Sequence, residues 1–175
     1  KNVIIRTFVK AYISIMRGTP LMLQILVVYF GPFYIFGLKM KPGYRFMAVI
    51  IAFVINYAAY FAEIFRGGIE SIPKGQYEAA ASLSMTKTQT FFHIILPQVV
   101  KRVVPASSNE IITLIKDTSL ANVIAFAEIT LKAKQQMQTY SSLTPLFIAG
   151  LFYFVLAMIL TVISAAIEKK LDYYK

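Results

Sequence analysis

Three long apolar runs, separated by polar segments, dominate the pattern of this chain. They extend from Leu21 to Gly37, from Phe46 to Phe65 and from Pro145 to Ile167. A helix that crosses a bilayer needs about 20 mostly apolar residues, or about 17 at the short end. The pattern therefore predicts three membrane-spanning helices.

Turn-forming residues indicate where two of these helices begin and end. Thr19 offers a capping hydroxyl and Pro20 a first-turn proline, directly before the first run. Gly67 and Gly68 follow the second run, and glycine readily adopts a left-handed helix cap. We therefore expect the first helix to start after Thr19 and Pro20 and the second to end at the two glycines.

A mixed stretch lies between the second and third runs. From Val99 to Leu131, charged and polar residues are spread among apolar ones. Ionisable groups and irregular backbone are tolerated at membrane depth only inside protein or along a cavity, so this stretch cannot face lipid all round. It predicts a fourth span that is broken and interior, from about Pro105 to about Ile129.

The distribution of charge orients the four spans. Most of the 18 Lys and Arg residues fall on the side that holds both chain ends and the segment after the second run. The positive-inside rule makes this side cytoplasmic. We therefore predict a multi-pass membrane protein whose segment Glu70 to Gln98 lies in the cytoplasm.

This cytoplasmic segment has the pattern of two short helices. Pro73 suits the first turn of one helix, whose body is Gln76 to Leu83, and the segment Thr86 to Gln89 is a capping box that starts the second. A helix–turn–helix between two spans offers a surface to a partner protein. The pattern is equally compatible with an amphipathic helix that rests on lipid headgroups.

Composition excludes several functional classes. Of the 175 residues, 58% are hydrophobic and 15% charged, so the chain is more apolar and less charged than a typical soluble domain. The net charge is +10, but the basic residues lie at the ends of apolar runs and not on one polar face, so we expect no nucleic acid partner. With Cys 0 and one histidine, His93, no metal site is expected, and no cofactor is indicated.

The sequence also offers no catalytic set. No convergent Ser/His or paired-carboxylate arrangement is evident, and no Gly-x-x-x-x-Gly-Lys-Ser/Thr loop is present to cradle phosphate. We therefore expect no enzyme, no catalytic residues and no nucleotide site on this chain.

Polar residues inside the predicted spans are candidates for a transport path. Glu63 is a possible proton carrier, although pairing with Arg66 at i+3 is favoured, and Asn56 is expected to join helices. The candidates for contact with a zwitterionic substrate are Asn109, Glu110, Asp117, Thr118 and Ser119. Lys116 and Asp117 would alternatively cap a helix break. An ion-coupled secondary transporter would use Glu63, Glu110 and Asp117, but the internal repeat typical of that class is absent.

One spacing in the cytoplasmic segment resembles a known family. Glu78-Ala79-Ala80, followed by Ile94, Leu96 and Pro97, matches six of the seven fixed positions of E-A-A-x3-G-x9-I-x-L-P. This pattern is found in the permease subunits of binding-protein-dependent ABC importers. The seventh position, a glycine in the family, is Ser84 here, and a left-handed turn at a non-glycine residue costs about 1–2 kcal/mol.

Two further segments resemble the polar amino acid permeases within that family. They are Arg17-Gly18-Thr19-Pro20 and Lys116-Asp117-Thr118-Ser119-Leu120. The similarity extends from about Tyr12 to about Ile167. The chain is therefore similar to a polar amino acid permease over nearly its whole length.

The resemblance implies a fold, a function and a set of partners. The fold would be an all-α, polytopic membrane bundle in the plasma (inner) membrane, with residues 1–175 forming one transmembrane domain. Such a permease pairs with a second permease, identical or paralogous, and works with two ABC ATPase subunits and an extracytoplasmic substrate-binding protein or domain. Family permeases commonly have five spans, so a further span is expected before Lys1.

The resemblance also assigns a role to the first cytoplasmic helix, which would dock in a groove on the ATPase. Alanines 79, 80 and 81 are expected to form a small-residue surface, with Glu78 as a charge and Tyr77 as an aromatic anchor. The predicted coupling residues are Tyr77, Glu78, Ala79, Ala80 and Ser84.

Overall fold

The computed structural model describes residues 3–39 and 41–171, and all the regular secondary structure within them is helical, as expected. Residues 1, 2, 40 and 172–175 of the expected single domain lie outside this description. The helices are α1 (Val3–Gly18), α2 (Leu21–Phe36), α3 (Tyr44–Glu70), α4 (Lys74–Ser82), α5 (Lys87–Thr90), α6 (Leu96–Asp117), α7 (Ile129–Tyr140) and α8 (Thr144–Leu171). A π-helical turn, Phe91–Ile95, joins α5 to α6, and a 3₁₀ helix, Thr118–Ile124, follows α6.

Two of the described helices, α3 and α8, are long and apolar enough to cross a membrane. A third span is present if α1 and α2 are counted as one span bent by 108°. With 16 residues, α2 is only about 24 Å long, shorter than a hydrocarbon core of about 30 Å. The first predicted span is therefore a short helix that follows a sharp bend.

The bend between α1 and α2 corrects the prediction that Thr19 caps the second helix. The Thr19 hydroxyl donates to the carbonyl of Ile15 at 2.8 Å and so closes the end of α1. Pro20 is the N-cap residue of α2, without a side-chain capping bond in the described chain. At the other end, Gly37 is a left-handed C-cap with φ +64°.

The predicted end of the second span is also wrong. Helix α3 continues through Gly67 and Gly68 to Glu70. A Cβ atom on Gly68 would collide with Cγ2 of Val103 on α6. This glycine is therefore required for the close approach of α3 and α6. A glycine near the end of a helix is compatible with a cap or with such a contact, and the local sequence does not distinguish the two.

The cytoplasmic segment contains the predicted turn between two helices. Helix α4 begins after Pro73, and Ser84 takes up the left-handed conformation with φ +54° in place of the family glycine. The capping box is confirmed: the Gln89 amide N–H donates to Thr86 Oγ1 at 3.3 Å, and the Thr86 N–H donates to Gln89 Oε1 at 2.9 Å.

The second cytoplasmic helix is much longer than predicted. From Lys87 the chain stays helical through the π-helical turn and α6 to Asp117, and Pro105 lies inside α6 instead of starting a span. The wider turn ends two residues before Pro97, which lacks a backbone N–H donor and whose ring crowds the preceding turn. The break predicted within the fourth span does occur, as the 3₁₀ helix and loop before Ile129.

Among the described residues, the buried apolar side chains larger than alanine form two separate clusters. One joins α2, α3 and the 3₁₀ helix through Leu21, Ile25, Ala52, Phe53, Tyr57 and Ile124. The other, at the cytoplasmic end, consists of Ile72, Ile95, Val99 and Val103. Between these clusters, α3 and α6 frame a polar region.

Candidate functional site

A polar cavity of about 560 Å³ lies where the end of α1 meets the middle of α3 and the second half of α6. Carboxylates, an arginine and phenolic hydroxyls face the same space. The residues that matter for its chemistry are Arg17, Asn56, Tyr57, Tyr60, Glu110, Thr113 and Asp117. Ligand sites in proteins have volumes of about 300–1,000 Å³, so the cavity can hold a small polar molecule.

Asp117 is held in the cavity by α3. The hydroxyl of Tyr57, a buried residue, donates to Oδ2 of Asp117 at 2.8 Å. Within the described residues the Asp117 side chain makes no capping bond to the following 3₁₀ helix. The alternative that Asp117 caps a helix break therefore lacks support, because its carboxylate is used in a contact between helices.

Glu110 lines the same wall two helical turns before Asp117. It is partly buried, and no hydrogen bond or ion pair joins its carboxylate to another described residue. Thr113 lies between the two carboxylates on this face of α6, with its hydroxyl donating to the Asn109 carbonyl at 3.0 Å. A carboxylate in such a place has its acceptor capacity free for a bound cation or donor.

Arg17 brings a positive charge to the opposite wall. Its guanidinium lies 5.5 Å from the ring centre of Tyr60 and 3.6 Å from Glu63. Arg66 donates from Nε to Glu63 Oε1 at 3.1 Å and also binds Glu70. The predicted pairing of Glu63 with Arg66 is confirmed, which leaves Glu63 poorly suited to carry a proton.

Asn56 joins three helices, as predicted. Its amide donates to the Met16 carbonyl at 3.2 Å and to Gln24 Oε1 at 3.0 Å. The amide of Gln24 in turn donates to the Met16 carbonyl at 2.9 Å. These bonds satisfy backbone groups exposed by the bend between α1 and α2 and fix the roof of the cavity.

The other predicted substrate-path residues lie elsewhere. Within the described chain, Asn109, Thr118 and Ser119 are not among the residues lining the cavity. Asn109 and Thr118 are exposed, and the Thr118 hydroxyl donates to the Ile115 carbonyl at 2.6 Å. Thr113 and Asp117, at i+3 and i+7 from Glu110, share its face of α6, whereas Asn109 points about 100° away. Thr118 and Ser119 lie beyond α6, in the 3₁₀ helix.

Sequence reasoning missed four members of the cavity. Arg17 was noted only as part of a segment that resembles the family, and Tyr57, Tyr60 and Thr113 were not noted, although Tyr57 and Tyr60 are one helical turn apart beside Asn56. Polar groups at this spacing on an apolar helix could have indicated a polar face on α3. Their meeting with α6 depends on tertiary packing, which no local pattern contains.

The predicted coupling helix, α4, exposes only part of its alanine surface. Glu78, Ala79 and Ser84 are exposed and Tyr77 is 41% exposed, but Ala80 is 1% exposed. The expectation that alanines 79, 80 and 81 form one surface is therefore wrong for Ala80, which packs into the chain. Three consecutive helical residues point in directions 100° apart, so they cannot share one face.

A groove of about 430 Å³ lies beside α4. Its walls are Tyr77, Ala81, Met85, Lys87, Thr90 and Phe91, which come from α4, the left-handed turn and the start of the next helix. The turn at Ser84 folds these two helices against each other. The exposed face of α4 and this groove form a continuous cytoplasmic surface.

Bent and spanning helices around a polar cavity, with a short helix between two spans, are the arrangement expected of a membrane permease. The family described as "Binding-protein-dependent transport system inner membrane component" matches residues 1–173, and the chain belongs to this family. The resemblance to permease subunits of ABC importers is confirmed, and the chain is a membrane protein of this class. The finding favours an importer subunit over an ion-coupled transporter.

The relatives narrow the class to amino acid permeases. The chain is 44% identical to the arginine transport system permease protein ArtQ of Bacillus subtilis, over 91% of this chain and 72% of the relative. It is 38% identical to the putative glutamine transport system permease protein GlnP of Rickettsia felis, over 98% of this chain and 78% of the relative.

A solved structure agrees with these relatives. A crystal structure of an amino acid ABC transporter with histidines superposes with a TM-score of 0.82 at 36% identity, covering 92% of this chain and 74% of the other. A methionine ABC transporter, MetNI, matches with a TM-score of 0.74 at 17% identity, which shows the shared fold alone.

Proposed function

We propose that this chain, with a second permease subunit, forms the translocation path of an ATP-driven importer for a polar amino acid. The observation that carries the proposal is the polar cavity, in which two carboxylates on α6 face an arginine from the end of α1. An amino acid presents an ammonium and a carboxylate, and the cavity offers complementary charges to both. The names of the relatives point to the same class of substrate.

The two carboxylates have different tasks in this proposal. Glu110, without a partner among the described residues, accepts hydrogen bonds from the substrate ammonium. Asp117, already bound by Tyr57 through one oxygen, adds negative charge and keeps its second oxygen available. Asn109 and Thr118, which are exposed, and Ser119, which is partly buried, lie outside the cavity. They belong to the path only if the second permease lies against them.

The proposal assigns ATP hydrolysis to a separate subunit. The exposed residues of α4, Tyr77, Glu78 and Ala79, together with the turn at Ser84, would dock on an ABC ATPase. Their exposure beside an open groove supports this assignment. Two ATPase subunits and an extracytoplasmic binding protein would complete the complex in the inner membrane.

The test is transport by the assembled complex. The protein, coexpressed with the ATPase and binding protein of its own system, is reconstituted in vesicles, and uptake of a panel of amino acids is measured beside ATP hydrolysis. A hydrogen bond to a charged group contributes about 1.5–3 kcal/mol. We therefore expect Glu110→Gln to weaken the apparent affinity for the transported amino acid by about tenfold or more, while basal ATP hydrolysis persists.

The matched control is Glu70→Gln, which makes the same chemical change at an exposed carboxylate bound to Arg66. This variant should transport normally. Unchanged affinity and selectivity in Glu110→Gln would contradict the role of the cavity, and failure of the complex to take up any amino acid would contradict the proposed function.

A further inference from the structure

Helix α1 carries an apolar stripe that the described part of the chain leaves uncovered. Ile4, Phe8, Ala11 and Ile15 recur at helical spacing and share one face. Ile4 is 79% exposed, Phe8 75% and Ile15 56%, and none of the described residues of α1 is buried. Contact with α3 is made by a different side of the helix, where the Tyr12 hydroxyl donates to the Ile55 carbonyl.

The basic residues of α1 lie on the opposite side. At 100° per residue, Arg6, Lys10 and Arg17 fall within an arc of about 40°. Arg17 is used at the cavity, whereas Arg6 and Lys10 are exposed and form no hydrogen bond or ion pair with another described residue. The helix therefore presents two free positive charges opposite its apolar stripe.

The position of α1 relative to α3 indicates its depth. On α3 no charged residue occurs from Phe46 to Ala62, and Glu63 is the first on the cytoplasmic side. The Met16 carbonyl accepts from the Asn56 amide at 3.2 Å and the Arg17 side chain reaches to 3.6 Å from Glu63, so the end of α1 lies against the cytoplasmic half of the apolar part of α3. Because α1 and α2 meet at 108°, α1 runs nearly parallel to the membrane surface when α2 is upright.

An apolar cavity of about 330 Å³ fills the inner angle between α1 and α2. Its walls include Ile15, Leu23, Val27, Ala52 and Ile55. The polar atoms of Gln24 at its edge are already bonded to Met16, Thr19 and Asn56. The cavity therefore suits a hydrocarbon chain, and it adjoins the apolar stripe at Ile15.

We propose that α1 and this inner angle bind an anionic phospholipid of the cytoplasmic leaflet. One acyl chain occupies the apolar cavity and its neighbours cover Ile4 and Phe8, while the phosphate binds Arg6 and Lys10. An in-plane amphipathic helix with a basic polar face is the arrangement by which proteins bind anionic membrane surfaces. The site is distinct from the translocation path and goes beyond the proposed transport function.

The depth of α1 is tested with fluorescent labels. The chain has no natural cysteine, so a single introduced cysteine carries the label alone. The probes are Phe8→Cys on the apolar stripe and Ser14→Cys on the polar side, in the full chain reconstituted in phosphatidylcholine–phosphatidylglycerol vesicles. A nitroxide on the lipid acyl chain should quench the Phe8→Cys label strongly, and aqueous iodide should quench the Ser14→Cys label.

The charge preference is tested by moving the nitroxide between lipids. Trace phosphatidylglycerol with an acyl-chain nitroxide should quench the Phe8→Cys label more than phosphatidylcholine with the same nitroxide. Each basic residue near an anionic surface changes lipid affinity by about fivefold, so Arg6→Gln with Lys10→Gln should reduce this preference by at least about fivefold. Lys39→Gln with Lys41→Gln removes the same charge from an exposed loop and should leave the preference unchanged.

Three results would overturn the proposal. A Phe8→Cys label shielded from both nitroxide and iodide would show that a protein surface covers the stripe. Strong iodide quenching would show that α1 lies in water. Equal quenching by the two lipids would show that Arg6 and Lys10 do not select an anionic headgroup.

Discussion

Carboxylates in the cavity and at the cytoplasmic end of α3 differ in the partners that they bind. In the cavity, Glu110 is partly buried without a described partner, and Asp117 has one hydrogen bond from Tyr57. At the cytoplasmic end, Glu63 is held by Arg17 and Arg66, and Arg66 also binds Glu70. The cavity thus retains negative charge for a ligand, whereas the carboxylates at the cytoplasmic end of α3 are neutralised by arginines.

The comparison indicates that the effect of a substitution depends on how buried the side chain is and which groups it binds, and not on its residue type alone. The cytoplasmic loop adds a buried case, because Ala80 is only 1% exposed. The following changes test the comparison, beginning with the largest expected effect.

Ala80→Asp should unfold the cytoplasmic loop. A charge placed at this buried position has no partner, and an uncompensated buried charge costs about 3–5 kcal/mol. We expect a large drop in melting temperature of the purified protein and rapid proteolysis between α3 and α6.

The neighbouring substitution separates folding from docking. Ala79→Asp places the same charge on the exposed face of α4, so the chain should fold and melt normally while ATPase copurification falls. Normal melting of Ala80→Asp would contradict its burial, and full copurification with Ala79→Asp would contradict docking through this face.

Tyr57→Phe should destabilise the contact between α3 and α6 by about 1.5–3 kcal/mol, because it removes a hydrogen bond to a charged group. Thermal unfolding in detergent measures the change. Asp117→Asn keeps an acceptor oxygen for the tyrosine and should cost less. Tyr60→Phe, also in the cavity, is the control for loss of a hydroxyl, and an equal effect there would show that the bond to Asp117 contributes nothing.

Glu63→Gln should have the smallest effect. The two arginines that pair with Glu63 are about half exposed and screened by solvent, so these ion pairs contribute little, and Arg66 keeps Glu70 as a partner. We expect an unchanged melting temperature at low and high salt and transport within about twofold of the native protein. A loss comparable to that of Glu110→Gln would mean that both carboxylates belong to the transport path.

Local sequence signals were sufficient where one residue determines one feature. The apolar runs predicted α3 and α8, and Thr86 with Gln89 predicted the start of α5. Pro105 was a weaker signal, because a proline inside a membrane helix is accommodated by its surroundings. Gly68 shows the limit, since its role is fixed by Val103, which is distant in sequence.

The candidate site was predictable only in part for the same reason. Glu110 and Asp117 stood out as ionisable groups in an apolar stretch, and both line the cavity. Arg17 and Tyr57 complete it from other helices, and their contribution depends on the bend after Gly18 and on the crossing of α3 with α6. Neither the bend nor the crossing is encoded in a short motif.

The π-helical turn at Phe91–Ile95 sets the rotational phase between the cytoplasmic loop and the cavity. It contains more residues per turn than an α-helix, so it changes the direction in which every later side chain of α6 points. With the same five residues in α-helical geometry, Glu110 and Asp117 would point in a different direction relative to α4, because an α-helix turns further per residue. The widened turn therefore sets the angle between the surface offered to a cytoplasmic partner and the carboxylates that face the cavity.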